Sequence, residues 1–308
     1  MSLNNFIPQL WADTLLPALR ANLVYGNLFN EDYQGQISQM GDTVKINSIG
    51  DVSIFNYTKD TDLNAPQALT DAQSMLTISQ AKYYNFEVDD VDQAQAHPQV
   101  MTEAMSWAAF ELANTMDLYY AGFYTDAVNN IGSTSSWQTV TVPTNTNVGG
   151  GTTLYDYLVM MNQKLTENKV PKQGRWCVIP PWGTTFLIQD IRFTSFNTAD
   201  ARMTIQTNKI DAAGGSTSDA YIGRVAGMDV YESINAPHLS AASNVGVTGA
   251  QDVFLAGHTM TLTKATGINK VEAYRPPYRF ADAVKGLALY GAKTIRPYAL
   301  CAGYFQHP

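Results

Sequence analysis

Histidine, the side chain most often recruited for proton transfer and metal binding near neutral pH, is scarce in this sequence. The four histidines are His97, His238, His258 and His307, and no two of them lie at the spacing of metal ligands. His97 and His238 each adjoin a proline, and His307 is the next-to-last residue. We therefore interpret all four as exposed loop histidines rather than as ligands or general bases.

One acidic cluster is present, formed by Glu87, Asp89, Asp90 and Asp92. Calcium takes several oxygen ligands, usually from a loop bent at a glycine, and no glycine follows this cluster. The cluster instead precedes a predicted helix. We interpret it as favourable electrostatics at the helix start, or as an ion-pairing site for a neighbouring copy of the chain.

The sequence contains no recognisable motif for a catalytic nucleophile and none for a phosphate-binding loop. The run Gly149-Gly150-Gly151 lacks the lysine and the spacing of a phosphate-binding loop and is interpreted as a linker. Cys177 lies in the apolar run RWCVI, which is typical of a buried free thiol. The sequence therefore predicts no enzyme, no cofactor and no metal.

Composition and net charge restrict the classes of protein to which this sequence could belong. Among the 308 residues, Lys and Arg number 19 and Asp and Glu 27, so the net charge is −8, which argues against a protein built to grip nucleic acid. Charged residues make up only 15% of the chain, which indicates a surface that is neutral or covered by partners. The N-terminus lacks a signal-peptide pattern and no apolar run is long enough for a membrane span, so we expect synthesis in the cytoplasm and no membrane partner.

The N-terminal third of the chain reads as an arm followed by extended structure. Residues 1–30 show a helical apolar spacing that includes Trp11 and Leu15, which predicts an arm whose apolar side chains need a partner. Between residues 41 and 89, apolar and polar residues alternate as in half-buried strands, and one such strand is expected to continue to Ile54. Thr58–Gln73 shows no periodicity and is predicted to be a loop or tip.

A long amphipathic helix is predicted from His97-Pro98 to about Asp126. Trp107 and Phe110 fall outside its apolar stripe and are either buried by the extended arm or offered to another subunit. The stripe consists of Met101, Met105, Ala108, Leu112, Met116, Tyr119 and Phe123.

From residue 150 onward, helices and strands interleave as in a mixed α/β region. Residues 129–151 read as a connection, and Thr153 as the N-cap of a helix that ends before Pro171. Arg175–Ile179 is predicted to be a buried strand and Thr184–Ile191 a short helix. Asp252–Ala256 and Thr259–Thr263 are expected to form a hairpin, and Met228–Tyr231 a short strand.

The order of these segments resembles the major capsid proteins of tailed bacteriophages with the Hong Kong 97-type fold. GDTVKINSIG is similar to the extended loop of that family, and QAKYYNFEVDDVDQAQA to its return strand and the lead into the spine helix. RWCVIPPWGTTFLIQDIRF and IGRVAGMDVYES resemble parts of its axial domain. FADAVKGLALYGAKTIRPYAL resembles the closing segment.

The resemblance implies an α+β fold in five regions. These are an N-terminal arm over 1–30, an extended β-hairpin loop over 31–95, a peripheral domain with the spine helix over 96–150, an axial domain over 151–255, and a return through the peripheral domain over 256–308. It also implies a major head protein that self-assembles, as pentamers and hexamers, into an icosahedral shell around a double-stranded DNA genome. Expected partners are a scaffolding protein and a portal. Assembly is expected in the host bacterial cytoplasm, and the mature location is the virion.

Residues of the arm and loop are the candidates for contacts between subunits. An arm with little of its own to bury needs a neighbouring copy to cover it. A phage tail or receptor-binding component is the alternative from another class, and a hydrolase or transferase is a third. The intersubunit candidates are Tyr57, Lys59, Asp62, Trp11 and Leu15.

Overall fold

The structure is a computed structural model of the chain. It describes residues 24–32, 43–49, 53–57, 59, 62, 71–89, 100–141, 152–190, 220–239, 249–267 and 270–308.

The first half of the described chain contains a short helix, a β-hairpin, a strand of ten residues, a long helix and two short strands. The long helix is followed directly by a 3-10 helix over Gly122–Asp126. The elements are α1 (Tyr25–Leu28), β1 (Thr43–Ile49), β2 (Asp71–Thr77), β3 (Gln80–Asp89), α2 (Val100–Ala121), β4 (Asn129–Ile131) and β5 (Gln138–Thr139).

The second half contains two helices and eight strands. A 3-10 helix over Pro297–Ala299 separates the last two strands. The elements are α3 (Leu154–Glu167), β6 (Arg175–Ile179), α4 (Pro181–Gln189), β7 (Tyr221–Val225), β8 (Met228–Glu232), β9 (Gln251–His258), β10 (Leu262–Thr266), β11 (Lys270–Tyr274), β12 (Ala281–Thr294) and β13 (Leu300–Gln306).

A seven-stranded mixed sheet has the order β4-β13-β9-β6-β8-β7. The seventh strand, β5, also pairs with β13, at the residues that follow the pairing with β4. The central strands of this sheet are buried on both faces. In β6, for example, Trp176 and Val178 contribute to one hydrophobic core, whereas Cys177 and Ile179 contribute to another that includes residues of α3 and α4. Burial on both faces explains why RWCVI reads as a continuous apolar run rather than as an alternating strand.

A second, four-stranded sheet is built around the long strand β12, which pairs with β10, β11 and β3. The long helix α2 packs against one face of this sheet. Met116 and Tyr120 of α2 lie in the same buried cluster as Val284, Ala288 and Tyr290 of β12. That cluster also receives Trp176 and other residues of the seven-stranded sheet, so α2 and the two sheets share one core.

The hairpin of β1 and β2 has its own small core. The two strands pair antiparallel from Thr43↔Thr77 to Ile49↔Asp71. Apolar residues on one face of the hairpin base pack on β10 and β12, on the side of the four-stranded sheet away from α2. The buried members of this cluster are Val44, Ile46, Leu76, Ile78, Ala265 and Leu289.

Most of the predicted elements are confirmed, and the mixed α+β class is correct. The helix over 154–167 has its predicted N-cap at Thr153, whose side chain and that of Asp156 form a capping box. The long helix runs over Val100–Ala121, and the two residues at which it was expected to open lie outside the described part. Its buried side is centred on Met105, Ala109, Leu112, Met116 and Tyr120, so half-buried Ala108 and Tyr119 lie at the edges.

Four expectations are wrong. Asp252–Ala256 and Thr259–Thr263 do not form a hairpin, because β9 pairs with β6 and β13 whereas β10 pairs with β12. Residues 129–151 are more than a connection, since β4 and β5 pair in parallel with β13. Ile54 lies in no strand, because residues 53–57 are coil and exposed. The short helix begins at Pro181 rather than at Thr184, with proline in its first turn.

Arg175 is a buried cation held without a carboxylate among its described partners. Its guanidinium donates to the carbonyl oxygens of Pro171 and Val170 at 2.8 and 2.5 Å and to Thr166 Oγ1 at 2.9 Å. It also donates to the carbonyl oxygen and the side chain of Asn162 in α3. These carbonyls lie at the C-terminal end of α3, where a cation is favoured by the helix dipole.

Asp117 attaches the N-terminal part of the described chain to α2. Its carboxylate is buried, and its Oδ1 accepts hydrogen bonds from the backbone amides of Val24 and Tyr25 at 3.1 and 2.8 Å. Its Oδ2 accepts one from Asn235 Nδ2 at 3.1 Å. Burial raises the pKa of the Asp117 carboxyl above its ordinary value, and these hydrogen bonds oppose the rise.

We predict that Asp117→Ala destabilises the protein by about 3 kcal/mol, because buried amide donors lose their acceptor. Asp117→Asn is expected to cost less than about 1 kcal/mol, since Oδ1 is retained. Because the folded-state pKa of Asp117 is raised, protonation favours the folded state. Wild type should therefore gain stability over Asp117→Asn as the pH falls from 7 toward 4, and lose that advantage as the pH rises.

Urea unfolding of both variants and wild type at several pH values provides the measurement. An equal loss of unfolding free energy in the alanine and asparagine variants would contradict this role of Asp117. So would a difference in unfolding free energy between Asp117→Asn and wild type that does not change with pH.

Candidate interaction surface

The histidines are less exposed than the sequence suggested. His238 Nδ1 lies 2.6 Å from Oδ1 of the fully buried Asp252, whose Oδ2 accepts a hydrogen bond from Trp182 Nε1 at 2.5 Å. The ring of His307 is 5.3 Å from that of Trp182 and equally far from that of Phe186. Two of the four residues interpreted as exposed loop histidines therefore help join α4, β9 and the C-terminal residues. His97 lies outside the described residues.

The acidic cluster and the cysteines show ordinary structural environments where they are described. Glu87 pairs with Arg279 of the same chain. Cys177 and Cys301 are buried free thiols, and burial raises the pKa of the Cys301 thiol to about 12 and that of Cys177 further. In the described part of the chain, no three His, Cys, Asp or Glu residues are grouped as metal ligands.

Three of the predicted contact residues lie where a partner can reach them. Tyr57, Lys59 and Asp62 follow β1 in the connection to β2 and are all exposed, Tyr57 by 73%. Trp11 and Leu15 lie outside the described residues. We call the described residues of this connection the tip segment. They are residues 53–57, Lys59 and Asp62.

The tip segment exposes more apolar surface than the sequence pattern indicated. Ile54 is 96% exposed, and Phe55 and Tyr57 beside it are each more than 60% exposed. Contiguous exposed apolar side chains on a soluble protein mark an interaction site. The alternation of apolar and polar residues predicted a strand at Ile54, but this part of the chain is exposed coil.

Further exposed aromatic residues lie elsewhere on the surface. Trp107 and Phe110 contact each other on the outer side of α2, with ring centroids 6.3 Å apart. Tyr278 is 97% exposed, and Phe280 is exposed beside it in the turn between β11 and β12. The run RPPYRF carries this second pair, and two prolines next to two aromatic residues were a readable signal for an exposed turn that we missed.

The hairpin base is held very close to β12. A Cβ atom placed on Gly291 would lie 2.3 Å from the carbonyl oxygen of Thr77 and 2.9 Å from Cα of Ile78. The Gly267 amide donates to the carbonyl oxygen of Leu289 at 2.6 Å, beside the same contact. Glycine at position 291 therefore lets the backbone at the end of β2 lie directly on β12.

We predict that Gly291→Ala displaces the hairpin base and destabilises the docked hairpin by about 1–3 kcal/mol. Amide hydrogen exchange over 43–49 and 71–77 should then accelerate by a factor of about 5 to 140, since each 1.4 kcal/mol corresponds to a factor of ten. Gly122→Ala is the matched control, because a Cβ at Gly122 meets nothing within 4 Å. Unchanged exchange in the Gly291→Ala hairpin would show that this contact does not fix it.

Comparison with known proteins gives matches in structure but not in sequence families. No protein-family model and no curated protein sequence matches the chain. Within the described part of the chain, no helix is long and apolar enough to cross a membrane.

Solved structures match along nearly the whole chain. A structure from Mycobacterium phage Che8 is 26% identical with a TM-score of 0.66, and the match covers 98% of each chain. The capsid structure of the Cyanophage P-SCSP1u is 18% identical with a TM-score of 0.67, over 93% of this chain and 89% of that one. The capsid of Ralstonia phage GP4 is 10% identical with a TM-score of 0.65, over 94% and 91%. The chain shares its fold with these structures.

Proposed function

We infer that the chain is a major capsid protein of tailed phages, and we propose that many copies of it close the icosahedral shell around a double-stranded DNA genome. The observation that carries this function is the likeness in fold to phage capsids over nearly the full length of both chains. Its location is the virion. The likeness to solved capsid structures favours a structural role for this chain over an enzymatic one.

The exposed apolar surface of the described chain supports self-assembly. Ile54, Trp107 and Tyr278 lie on three different parts of the chain and are each exposed by more than 60%. A subunit that contacts several neighbours needs such separate surfaces, whereas a monomer would be expected to cover or lack them. No observation favours the alternative of a tail or receptor-binding component.

The tip segment is proposed as an intersubunit contact. Tyr57, Lys59 and Asp62 would touch a neighbouring subunit, since nothing in the described part of their own chain covers them. Trp11 and Leu15 of the N-terminal arm are proposed as further contacts on the strength of their helical apolar spacing alone.

We propose that the regions of the chain follow the organisation of the Hong Kong 97-type fold. Residues 1–30 form the N-terminal arm, 31–95 the extended loop and 96–150 the peripheral domain with α2 as its spine helix. Residues 151–255 form the axial domain, and 256–308 return through the peripheral domain. The pairing of β3 with β12 supports the last of these proposals, because it joins the segment before α2 to the final fifth of the chain.

The proposed partners follow from the same plan. Copies group into pentamers and hexamers, with a scaffolding protein and a portal taking part in assembly in the host cytoplasm. The genome is enclosed without sequence-specific binding. The net charge of −8 supports this, because a negatively charged shell would repel the phosphates of packaged DNA and so disfavour binding of the genome to it.

Electron microscopy of the purified protein tests the function. We expect closed particles, at least when a scaffolding protein from the same phage is co-expressed, because the shell is made of copies of this chain. A stable monomer under all these conditions would contradict the proposal.

Shortening the hairpin connection tests the role of the tip segment. Replacing residues 58–70 by a short Gly/Ser link should leave the urea unfolding midpoint nearly unchanged, since β2 begins only at Asp71 and Lys59 and Asp62 contribute nothing to the described core. We expect correct closed particles to be lost. Gly122→Ala, whose added Cβ meets nothing within 4 Å, serves as the control, and normal particles from the shortened chain would contradict the role.

A further inference from the structure

Residues 233–239 follow β8, and we call them the strap. The last part of the strap pairs with the start of β9. The Leu239 amide donates to the carbonyl oxygen of Gln251 at 2.9 Å, and the Val253 amide donates to that of Pro237 at 2.8 Å. The strap is therefore hydrogen-bonded directly to a central strand of the seven-stranded sheet.

Two side chains of the strap bond to buried carboxylates on different elements. Asn235 Nδ2 donates to Asp117 Oδ2 at 3.1 Å, and His238 Nδ1 lies 2.6 Å from Asp252 Oδ1. Asp117 lies in α2 and Asp252 lies in β9, and neither is more than 1% exposed. The strap thus connects the seven-stranded sheet to the helix that packs on the four-stranded sheet.

The environment of Asp252 offers few groups that could balance its charge. Its Oδ2 accepts a hydrogen bond from Trp182 Nε1 at 2.5 Å, and the rings of Phe254 and His307 each lie 5.3 Å from that of Trp182. A buried carboxylate is costly unless it is hydrogen-bonded and paired with a positive charge. His238 can supply that charge, and its side chain is 19% exposed, so protons can reach the ring from water.

Protonation of His238 changes the strength of its bond to Asp252. As an imidazolium, the ring donates from Nδ1 in a charge-assisted hydrogen bond, which is roughly twice as strong as a neutral one. A neutral ring with its proton on Nδ1 still donates, but it does not compensate the negative charge of Asp252. The two protonation states therefore keep the same contact and differ in how firmly it is held.

Other titratable groups lie on the elements around the strap. Burial raises the pKa of the Asp117 carboxyl above its ordinary value, so Asp117 also gains a proton more readily than an exposed carboxyl as the pH falls. The carboxylate of Glu232 accepts a hydrogen bond from a hydroxyl of α4 at 2.6 Å. His238 and His307 are the two whose ordinary titration falls between pH 5 and 8, so a test must separate them. Further titratable groups on these elements are Asp190, Asp229, Tyr25 and Tyr231.

We propose that the strap is a pH-dependent connection between the seven-stranded sheet and α2, which tightens in mild acid as His238 gains a proton. The inference concerns the single subunit and does not depend on assembly into a shell. The carboxylate of Asp252 favours the imidazolium, so the folded chain holds this proton more tightly than the unfolded chain does. The added stability is complete below about pH 6.5, where histidine titrates in an unfolded chain, and is lost as the pH rises further.

Amide hydrogen exchange of the full chain tests the inference, with the amides of Leu239 and Val253 as reporters. Their hydrogen bonds flank the contact between His238 and Asp252. After correction for the intrinsic exchange rate at each pH, we expect both amides to be about tenfold better protected at pH 5.5 than at pH 8, which is the difference between a charged and a neutral hydrogen bond. Amides of α3 are the reference for effects of pH on the whole chain.

His238→Asn removes the charge and keeps the contact. The asparagine amide nitrogen takes the place of Nδ1, so a neutral donor to Asp252 remains while no proton can be gained. We expect protection close to that of wild type at pH 8 and no tenfold rise at pH 5.5. Asp117 and His307 are unchanged in this variant, so any pH dependence that they cause will persist.

His258→Asn is the matched control, because it makes the same substitution at the other end of β9. His258 Nδ1 accepts a hydrogen bond from the Met260 amide at 3.1 Å, which the asparagine oxygen can also accept. This variant should keep the wild-type pH dependence at the strap. A tenfold rise that survives in His238→Asn, no rise in wild type, or the same loss in both variants would overturn the inference.

A double-mutant cycle gives an independent measurement. Urea unfolding of His238→Asn, Asp252→Asn and the double variant yields the coupling between the two positions. We expect this coupling to change the unfolding equilibrium constant by a factor about ten times larger at pH 5.5 than at pH 8. Equal coupling at the two pH values would overturn the inference, and if Asp252→Asn fails to fold, the exchange measurement decides it.

Discussion

The packing of both faces of β12 is the constraint on which the described fold depends. Val284, Ala288 and Tyr290 point to the core shared with α2, whereas Leu289 between them points to the hairpin base. Successive side chains in a strand alternate between faces, so a shift of one residue in the pairing of β12 with β3 would exchange the two sets. Register, helix packing and hairpin docking are therefore fixed together, and Gly291 is required where the hairpin backbone lies closest.

Local patterns in the sequence predicted the elements well because their causes are local. The helix over 154–167 has its cap at Thr153, and Leu154, Leu158 and Leu165 are buried as their spacing indicated. Arg175–Ile179 is a strand buried on both faces, as its unbroken apolar run suggested. In each case the side chains that decide the structure lie within one or two helical turns or one strand.

The errors arise where the deciding contact is distant in sequence. β9 and β10 are separated by three residues, yet they belong to different sheets, because β9 finds its partners in β6 and β13 and β10 finds its partner in β12. His238 is drawn from a loop to the buried Asp252, fourteen residues away. For the candidate surface, Tyr57, Lys59 and Asp62 could be named from the polar extended pattern, but the exposure of Tyr83 in β3 could not. Its strand alternation is the same whether its outer face is covered or bare.

The division of the chain into large cores and a small one suits an assembling subunit. The two larger clusters join helices to both sheets, and the buried carboxylate of Asp117 binds distant segments to them. The hairpin is instead anchored by a cluster of six buried residues and one close backbone contact. A smaller buried core opens at lower free energy, so we expect the hairpin to open before the two larger clusters do. On the proposed function, this order of opening lets the hairpin adjust to a neighbouring copy while the rest of the subunit stays folded.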